Sequence, residues 1–216
     1  MIGIYGGTFD PVHFGHLRTA LEVKEIFGLD EVRLIPCSQP AHRNSPDSSP
    51  KMRFEMLQLA VKGQPELVID RRELDREGVS YMIDTLKSVR NEFSNCPLLL
   101  FIGTDAFEGL SGWHKWQLLF DYAHVVVITR PGYRQQKLSE FLSSKLSDNA
   151  EKLNQEDAGS LYFQPVTQLD ISATAIRNII RTGLNPRFLL PDNVIDYIKL
   201  KKLYKGSHFP NKPLIE

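Results

Sequence analysis

Short apolar segments alternate with longer stretches of helical periodicity along most of the chain, and this alternation constrains the fold more than any other feature of the sequence. The short segments are rich in valine, isoleucine and leucine, as parallel strands buried on both faces are. The successive pairs are MIGIY with 14–27, VRLIP with 51–62, ELVID with 81–93, PLLLFIG with 106–120 and HVVVIT with 137–146. LYFQPV (161–166) adds a sixth strand. The pattern predicts an α/β fold with a mainly parallel sheet and helices on both faces.

Two further helical patterns, 173–182 and 192–202, close the chain, and Pro191 with Asp192 marks the start of the second. We expect one domain over 1–204, with a small C-terminal helical part at about 172–204. The segment 205–216 is predicted to be a flexible tail. The Ser- and Pro-rich stretch 37–50 follows a strand and predicts a long loop at the carboxyl edge of the sheet.

Composition excludes several classes of function. No stretch approaches eighteen consecutive apolar residues, so no membrane span and no membrane partner are expected. Two cysteines are too few for a disulfide scaffold and no signal peptide opens the chain, which predicts a cytoplasmic protein. The 26 basic side chains are balanced by 26 acidic ones, so binding of long nucleic acid is not expected. An anionic ligand must therefore be held by local groups.

The stretch GGTFDPVHFGH (6–16) directly follows the first strand, at the edge of the sheet where open α/β proteins bind ligands. Gly6 and Gly7 permit a sharp turn and the close approach of a ligand. A helix beginning near Val12 or His13 would offer unpaired N–H groups and a positive dipole end to a phosphate. His13 and His16 are three residues apart, which places both on an exposed first turn.

Other interpretations of this stretch are weaker. It matches neither GxxxxGK[ST] nor GxGxxG, so neither a P-loop ATPase nor a dinucleotide-binding dehydrogenase is indicated. An ordinary glycine turn with a Pro-initiated helix would explain the glycines but not the two histidines. A zinc site would need further ligands, and no Glu or Cys stands at a supporting spacing. We therefore favour phosphate binding.

Two signatures resemble those of the nucleotidyltransferase superfamily. The His-x-Gly-His element of the first stands at 13–16, and ISATAIR (171–177) is similar to the second, with Ala173 in place of a frequent serine. From the residues alone, Ser172 is a good helix N-cap and Arg177 is either a phosphate contact or a surface charge. The resemblance implies a Rossmann-like doubly wound fold and nucleotidyl transfer.

Segments in the middle of the chain are similar to those of bacterial nicotinate-nucleotide adenylyltransferases. They are IPCSQPAHR (35–43), RELDREGVSYMIDTL (72–86), FIGTDAFEGLSGWHKW (101–116), VITRPGY (127–133) and LLPDNVIDYI (189–198). The similarity implies transfer of AMP from ATP to nicotinate mononucleotide, forming deamido-NAD (nicotinate adenine dinucleotide) and pyrophosphate in NAD biosynthesis. Met82 departs from a position that is usually threonine, and Ala41 replaces a second proline.

The resemblance also implies roles for individual residues. Catalytic roles fall to His13, His16 and Arg177. The implied ATP-binding residues are Gly6, Gly7, Thr8, Phe9, His13, His16, Gly103, Asp105, Ser172 and Arg177. The implied acceptor-binding residues are His42, Arg43, Met82, Asp105, Trp113, His114 and Arg130. Mg²⁺ is expected to bind mainly through the ATP phosphates, with no metal held by protein ligands alone.

Several of these roles have alternatives in the sequence itself. Trp113 either stacks on a nicotinate ring or anchors the core, and Trp116 is the better core candidate. Asp105 either accepts from a ribose hydroxyl or caps the next helix, and Arg130 is either a phosphate contact or a solvated turn residue. His124 opens an apolar strand and is interpreted as a satisfied core histidine.

Two other functions stay open at this point. Nicotinamide mononucleotide or pantetheine phosphate is an alternative acceptor within the same superfamily. A class I synthetase-like nucleotide-binding module is the alternative from another class, although zero net charge and the lack of an anticodon-binding appendage disfavour it. Formation of a homo-oligomer is left open.

Overall fold

A computed structural model describes residues 1–40, 45–130, 132–167 and 169–205. Its strands form one sheet in the order β3-β2-β1-β4-β5-β6, and every neighbouring pair is parallel. The strands are β1 (Ile2–Gly7), β2 (Glu31–Pro36), β3 (Leu67–Ile69), β4 (Leu98–Gly103), β5 (His124–Thr129) and β6 (Leu161–Pro165). This is the strand order of a Rossmann-like doubly wound sheet, as predicted.

Helices cover both faces of the sheet. Within the described ranges they are α1 (Phe14–Phe27), α2 (Pro50–Ala60), α3 (Met82–Glu92), α4 (Thr104–Glu108), α5 (Glu140–Lys145), α6 (Lys152–Gln155), α7 (Ala173–Arg181) and α8 (Asp192–Lys201). Side chains on β4 and β5 alternate between two apolar cores. Leu99 and Phe101 pack with α1, α2, α7 and α8, whereas Leu98 and Leu100 pack with α3. Burial on both faces explains why these strands are continuous apolar runs.

The helix predicted over 106–120 is wrong. Helix α4 ends at Glu108, and two 3₁₀ segments follow at Leu110–Gly112 and Trp116–Asp121. Gly109 and Gly112 are poor helix formers, and Lys115 adopts a left-handed φ of 53° that no helix continues through. As a result, 113–115 forms an irregular link between the two 3₁₀ segments, near the carboxyl edge of the sheet.

The C-terminal helices pack against the first half of the chain. Helix α8 contacts α2, and the Tyr197 hydroxyl donates to the Glu55 carboxylate between them. Val194, Ile195 and Ile198 of α8 are buried in the same core as α1 and α2. Among the residues described, no helix is both long and apolar enough to cross a membrane.

Arg53 is a fully buried arginine on α2 that holds the loops beneath the edge of the sheet. Its guanidinium donates to the carbonyl oxygens of Thr8 (2.8 Å), Ser38 (3.1 Å) and Ser48 (3.3 Å). Thr8 follows β1, and the two serines lie in the stretch between β2 and α2, so one side chain joins both loops. Its helical spacing from Met56 and Leu57 places it on the buried face of α2, and this spacing can be seen in the sequence.

Arg53→Met should lower the free energy of unfolding by about 2 to 4 kcal/mol, because it leaves buried carbonyl groups without donors. Arg71→Met is the matched control, since Arg71 is 57% exposed and pairs with Asp75 on the surface. It should cost under about 1 kcal/mol. Urea unfolding of both variants measures the difference, and equal losses would contradict the bracing role.

Candidate active site

Two adjoining cavities open at the carboxyl edge of the sheet, with volumes of about 920 and 780 Å³. They lie beyond the ends of β1 and β4, the point at which the strand order reverses and the following loops diverge. Residues lining both cavities are Tyr5, Thr8, His16, Asp105 and Arg130. An extended ligand lying in both cavities would therefore pass His16 and Asp105.

Every predicted site residue within the described ranges, except Phe9, lines one or both cavities. The first cavity is lined by Gly6, Gly7, Thr8, His16, Met82, Gly103, Asp105, Trp113, His114 and Arg130. The second is lined by Thr8, His13, His16, Asp105, Arg130, Ser172 and Arg177. His42 and Arg43 lie outside the described residues, as does most of the predicted tail.

The two histidines form a stacked pair at the start of α1. Helix α1 spans Phe14–Phe27, the range predicted from the helical pattern, and His13 is its N-cap. The ring centroids lie 3.7 Å apart, and the backbone N–H of His13 donates to His16 Nδ1 at 3.3 Å. Because Nδ1 accepts, the proton of neutral His16 is assigned to Nε2. The expectation that both rings are exposed is wrong, since His13 is only 5% exposed.

Gly15 lies against the ring of His13, where there is little room for a side chain. A Cβ at Gly15 would lie 3.0 Å from two atoms of the His13 ring. That separation is tighter than ordinary van der Waals contact, so a side chain here would displace the ring from its stack. Glycine is needed at this position for packing against the histidine.

Burial keeps both histidines neutral. It lowers the pKa of His13 to about 4, and burial together with the neighbouring His13 lowers the pKa of His16 well below its ordinary value. At neutral pH each ring is therefore an uncharged imidazole. A neutral imidazole can donate one N–H to a phosphate oxygen, but its low pKa makes it a weak base.

The tight turn after β1 is made by Phe9 rather than by the glycines. Gly6 and Gly7 are extended residues of β1, which corrects the turn predicted there. Phe9 takes a left-handed φ of 50°, is 1% exposed, and places its ring edge-on against His16 at 5.0 Å. A Cβ at Gly7 would lie 2.9 Å from that ring. Phe9 therefore supports His16 through packing.

The N–H groups at the start of α1 are less available than expected. The N–H of Phe14 donates to the Leu189 carbonyl at 3.0 Å, and that of His16 donates to the His13 carbonyl at 2.9 Å. The expectation of unpaired donors is therefore wrong for these two groups.

Arg177 is held in place by protein groups at the edge of the second cavity. Ser172 caps α7 as predicted, its hydroxyl accepting from the N–H of Ala175 at 3.1 Å. One terminal nitrogen of Arg177 donates to the Asp10 carbonyl at 2.7 Å, and its Nε lies 2.6 Å from a carboxylate oxygen of Asp47 in an ion pair. Each terminal nitrogen carries two N–H groups, so the fork can still donate to a bound anion.

The first cavity presents aromatic and apolar surface. Trp113 is partly buried and lines it, whereas Trp116 packs edge-on against Phe141 at 5.2 Å. Met82 begins α3, and its methyl group covers Gly6, where an added Cβ would lie 2.7 Å away. The ring of His114 lies 4.5 Å from that of Tyr81.

Asp105 and Arg130 lie where the two cavities meet. Asp105 is exposed in the first turn of α4, but the N-cap of that helix is Gly103, so the capping hypothesis for Asp105 is wrong. Arg130 forms an exposed ion pair with Asp170 at 3.7 Å.

His124 is a core histidine, as the sequence predicts. It is fully buried, its Nδ1 accepts from the N–H of Ser160 at 3.1 Å, and its Nε2 donates to the Glu156 carbonyl at 2.8 Å. Within the described part of the chain, no group of three or more His, Cys, Asp or Glu side chains is placed to hold a metal ion.

Three further residues support the second cavity, and of these Asp47 also lines it. Asp10 is 4% exposed and accepts hydrogen bonds from Asp47, Arg177 and Tyr204, which braces the loop after β1. Asp47 and Tyr204 were not predicted. Asp47 stands in the Ser- and Pro-rich loop without a local motif, and the contact between Tyr204 and Asp10 spans 194 residues of sequence. A single sequence carries no periodic signal for either.

His13→Gln should flatten the acid side of the stability profile. The folded pKa of about 4 lies below the ordinary 6.5, so the unfolded chain binds the proton first as pH falls. The contribution of neutral His13 to the free energy of unfolding is fully present above pH 6.5 and is lost progressively as the pH falls toward 4. Between pH 7 and 5 the wild type should lose about 2 kcal/mol more than the variant. Denaturant titrations at several pH values measure this, and parallel profiles would contradict the buried neutral state.

Comparisons with known proteins identify the family of this chain. The family model described as Cytidylyltransferase-like matches residues 4–179. A Methylococcus capsulatus protein named "Probable nicotinate-nucleotide adenylyltransferase" is 46% identical over 208 residues, which covers 94% of this chain and 99% of that protein. A Hahella chejuensis protein of the same name is also 46% identical over 208 residues, with 94% and 95% covered.

A solved structure shares the fold at low identity. Plasmodium falciparum nicotinic acid mononucleotide adenylyltransferase complexed with NaAD superposes with a TM-score of 0.71 at 17% identity, covering 94% of this chain and 96% of that one. The sequence matches, together with the shared fold, establish that this chain belongs to the cytidylyltransferase-like family and, within it, to the nicotinate-nucleotide adenylyltransferases.

Proposed function

We propose that this protein transfers AMP from ATP to nicotinate mononucleotide, forming nicotinate adenine dinucleotide and pyrophosphate. The observation that carries the proposal is the pair of cavities that meet at His16. One is lined by a tryptophan, and the other by neutral and cationic hydrogen-bond donors. The names of the relatives at 46% identity support the same reaction.

The reaction needs positioning and charge stabilisation more than acid–base chemistry. An oxygen of the acceptor phosphate, already anionic at neutral pH, forms the new bond to the α-phosphorus of ATP. The bond from that phosphorus to the bridging oxygen breaks, and pyrophosphate leaves with the electron pair. No proton has to be removed from the nucleophile, so neutral histidines of low pKa suit the site.

We assign the triphosphate to the second cavity. Neutral His13 and His16 donate to phosphate oxygens, and Ser172 and Arg177 hold the departing pyrophosphate. The backbone at Gly6, Gly7, Thr8 and Phe9 and the loop at Gly103 and Asp105 complete the ATP site in this proposal.

Magnesium fits this site as a cation bound to phosphates. Of the carboxylates at the second cavity, Asp47 is engaged with two arginines, and the remaining lining is dominated by donors that favour anions. When bound, Mg²⁺ would neutralise charge on the pyrophosphate. We propose that it binds mainly through the ATP phosphates and water.

We assign the acceptor to the first cavity. Trp113 stacks on the nicotinate ring, and the N–H groups of Met82 and His114 bind its carboxylate. Asp105 and Arg130 lie where the two nucleotides would meet, and His42 and Arg43 remain proposed phosphate contacts. A cytoplasmic location and a single domain over 1–204 are part of the same proposal.

The decisive experiment is a pyrophosphate-release assay with ATP, Mg²⁺ and one acceptor at a time. Nicotinate mononucleotide should give the highest kcat/KM, above nicotinamide mononucleotide and pantetheine phosphate. Release that depends on tRNA and not on a mononucleotide would overturn the proposal in favour of a synthetase-like module. Highest turnover with pantetheine phosphate would replace the acceptor.

His16→Asn should lower kcat by about 10²-fold or more, because the donor aimed at the phosphates is lost. The asparagine oxygen can still accept from the backbone of His13, as Nδ1 of His16 does. His16→Ala removes both functions and should be equally slow but less stable. Steady-state kinetics and melting temperatures separate the two effects, and near-wild-type turnover of a folded His16→Asn would refute the assignment.

The acid form of the mononucleotide should be preferred over the amide on the order of 10²-fold in kcat/KM, despite Met82. Backbone N–H groups do not depend on the side chain, and an amide presents its own NH₂ to those donors, at about 1–3 kcal/mol for each mismatch. Trp113→Ala should weaken both acceptors and leave their ratio largely intact. Equal kcat/KM values for acid and amide would instead indicate a dual-specificity enzyme.

A further inference from the structure

Tyr204 lies just beyond α8, behind the loop that carries His13. Its side chain is buried in the core shared by α1, α2 and α8, and the residue is 8% exposed. The hydroxyl accepts a hydrogen bond from Ser48 Oγ at 2.7 Å and donates one to Asp10 Oδ1 at 2.6 Å. Tyr204 lines neither cavity. Whatever it contributes to catalysis must therefore pass through its partners.

Asp10 is the partner that connects Tyr204 to the active site. All three of its oxygens accept: Oδ1 from Tyr204, Oδ2 from the N–H of Asp47 at 2.7 Å, and the carbonyl from Arg177 at 2.7 Å. The Asp47 carboxylate in turn lies 2.6 Å from Arg177 Nε and 2.9 Å from a terminal nitrogen of Arg181. Two contacts of Arg177 therefore depend on where Asp10 is held.

The Tyr204 hydroxyl is suited to hold Asp10 in one orientation. Burial and the neighbouring Asp10 carboxylate raise the pKa of Tyr204 well above its ordinary value, so the hydroxyl keeps its proton and the direction of the bond is fixed. Ser48 is fixed on the other side, since its carbonyl accepts from the buried Arg53. A phenylalanine here would leave two buried polar groups, Asp10 Oδ1 and Ser48 Oγ, without this partner.

We propose that Tyr204 is a positioning residue for ATP binding, which holds Asp10 and through it the guanidinium of Arg177 at the triphosphate cavity. The proposal rests on the proposed function for the assignment of that cavity to ATP. It gives the C-terminal segment after α8 a role in catalysis that no substrate contact would reveal. Its effect should fall on ATP and the departing pyrophosphate, and much less on the acceptor.

The test compares Tyr204→Phe with Tyr197→Phe. Both variants delete one hydroxyl and leave the ring, and both hydroxyls join the C-terminal region to α2 or the loop before it. Tyr197 bonds to Glu55, and neither residue lines a cavity. The measurements are kcat, the KM for each substrate, and the Kd for the α,β-methylene analogue of ATP with Mg²⁺ by calorimetry, at a temperature where all variants are folded.

Tyr204→Phe should raise the Kd of the analogue and the KM for ATP roughly tenfold while changing the acceptor KM less than about twofold. Tyr197→Phe should leave all these values unchanged. The same change made in an Arg177→Lys background should add less than about twofold, because the residue through which Tyr204 acts has already been altered. A full tenfold effect in both backgrounds, or an equal effect of Tyr197→Phe, would overturn the proposal.

Ser48→Ala keeps the test decisive if Tyr204→Phe does not fold. It removes the group that orients the Tyr204 hydroxyl and should weaken analogue binding in the same selective way, by about two- to fivefold. Unchanged analogue binding in a folded Ser48→Ala would then refute the role of Tyr204. A wild-type protein that binds the analogue but releases no pyrophosphate with any acceptor would refute the proposed function. The Kd of the analogue in the Tyr204 variants would still test the positioning role of Tyr204.

Discussion

Strand β1 hydrogen-bonds to β2 on one side and to β4 on the other, and the rest of the site depends on this central pairing. After β1 the chain adds β2 and then β3 on one side of β1. It then crosses to the other side, where it adds β4, β5 and β6. The loops after these two strands must therefore diverge, because their helices lie on opposite faces. The space between them is the crevice that two nucleotides can share.

Within that crevice, two neutral histidines lie beside arginines in the second cavity, which we assign to the triphosphate. The two histidines are uncharged because burial lowers their pKa values, and Arg177, one of three arginines that line the second cavity, is partly neutralised by Asp47. A neutral donor binds an anion through its dipole and does not bind it so tightly that pyrophosphate cannot leave. The zero net charge of the whole chain agrees with a site that works through local geometry.

The sheet and most helices could be predicted because burial on two faces leaves continuous apolar runs, and HVVVIT is found as a strand with the predicted ends. Residues that line the two cavities could be predicted because chemistry-bearing side chains cluster after strand ends. Tertiary packing could not be predicted, because the spacing of His13 and His16 does not show that their rings stack or that His13 is buried. The helix predicted over 106–120 is absent because Gly109 and Gly112 are poor helix formers and Lys115 adopts a left-handed φ; of these features only the glycines are visible in the sequence. The burial of Arg53 was not predicted, although its helical spacing from Met56 and Leu57 is visible in the sequence.

The bond between Tyr204 and Asp10 joins positions 194 residues apart. During synthesis, residues 1–60 can form β1, β2 and their helices long before residue 204 leaves the ribosome. The loop that carries the histidines must wait for the other end of the chain before its carboxylate is held. The entropy cost of closing a loop of this length is only modestly larger than that of a shorter loop. The separation therefore delays the contact during synthesis and costs little free energy. The contact that holds the Asp10 carboxylate can therefore form only after residue 204 has been synthesised.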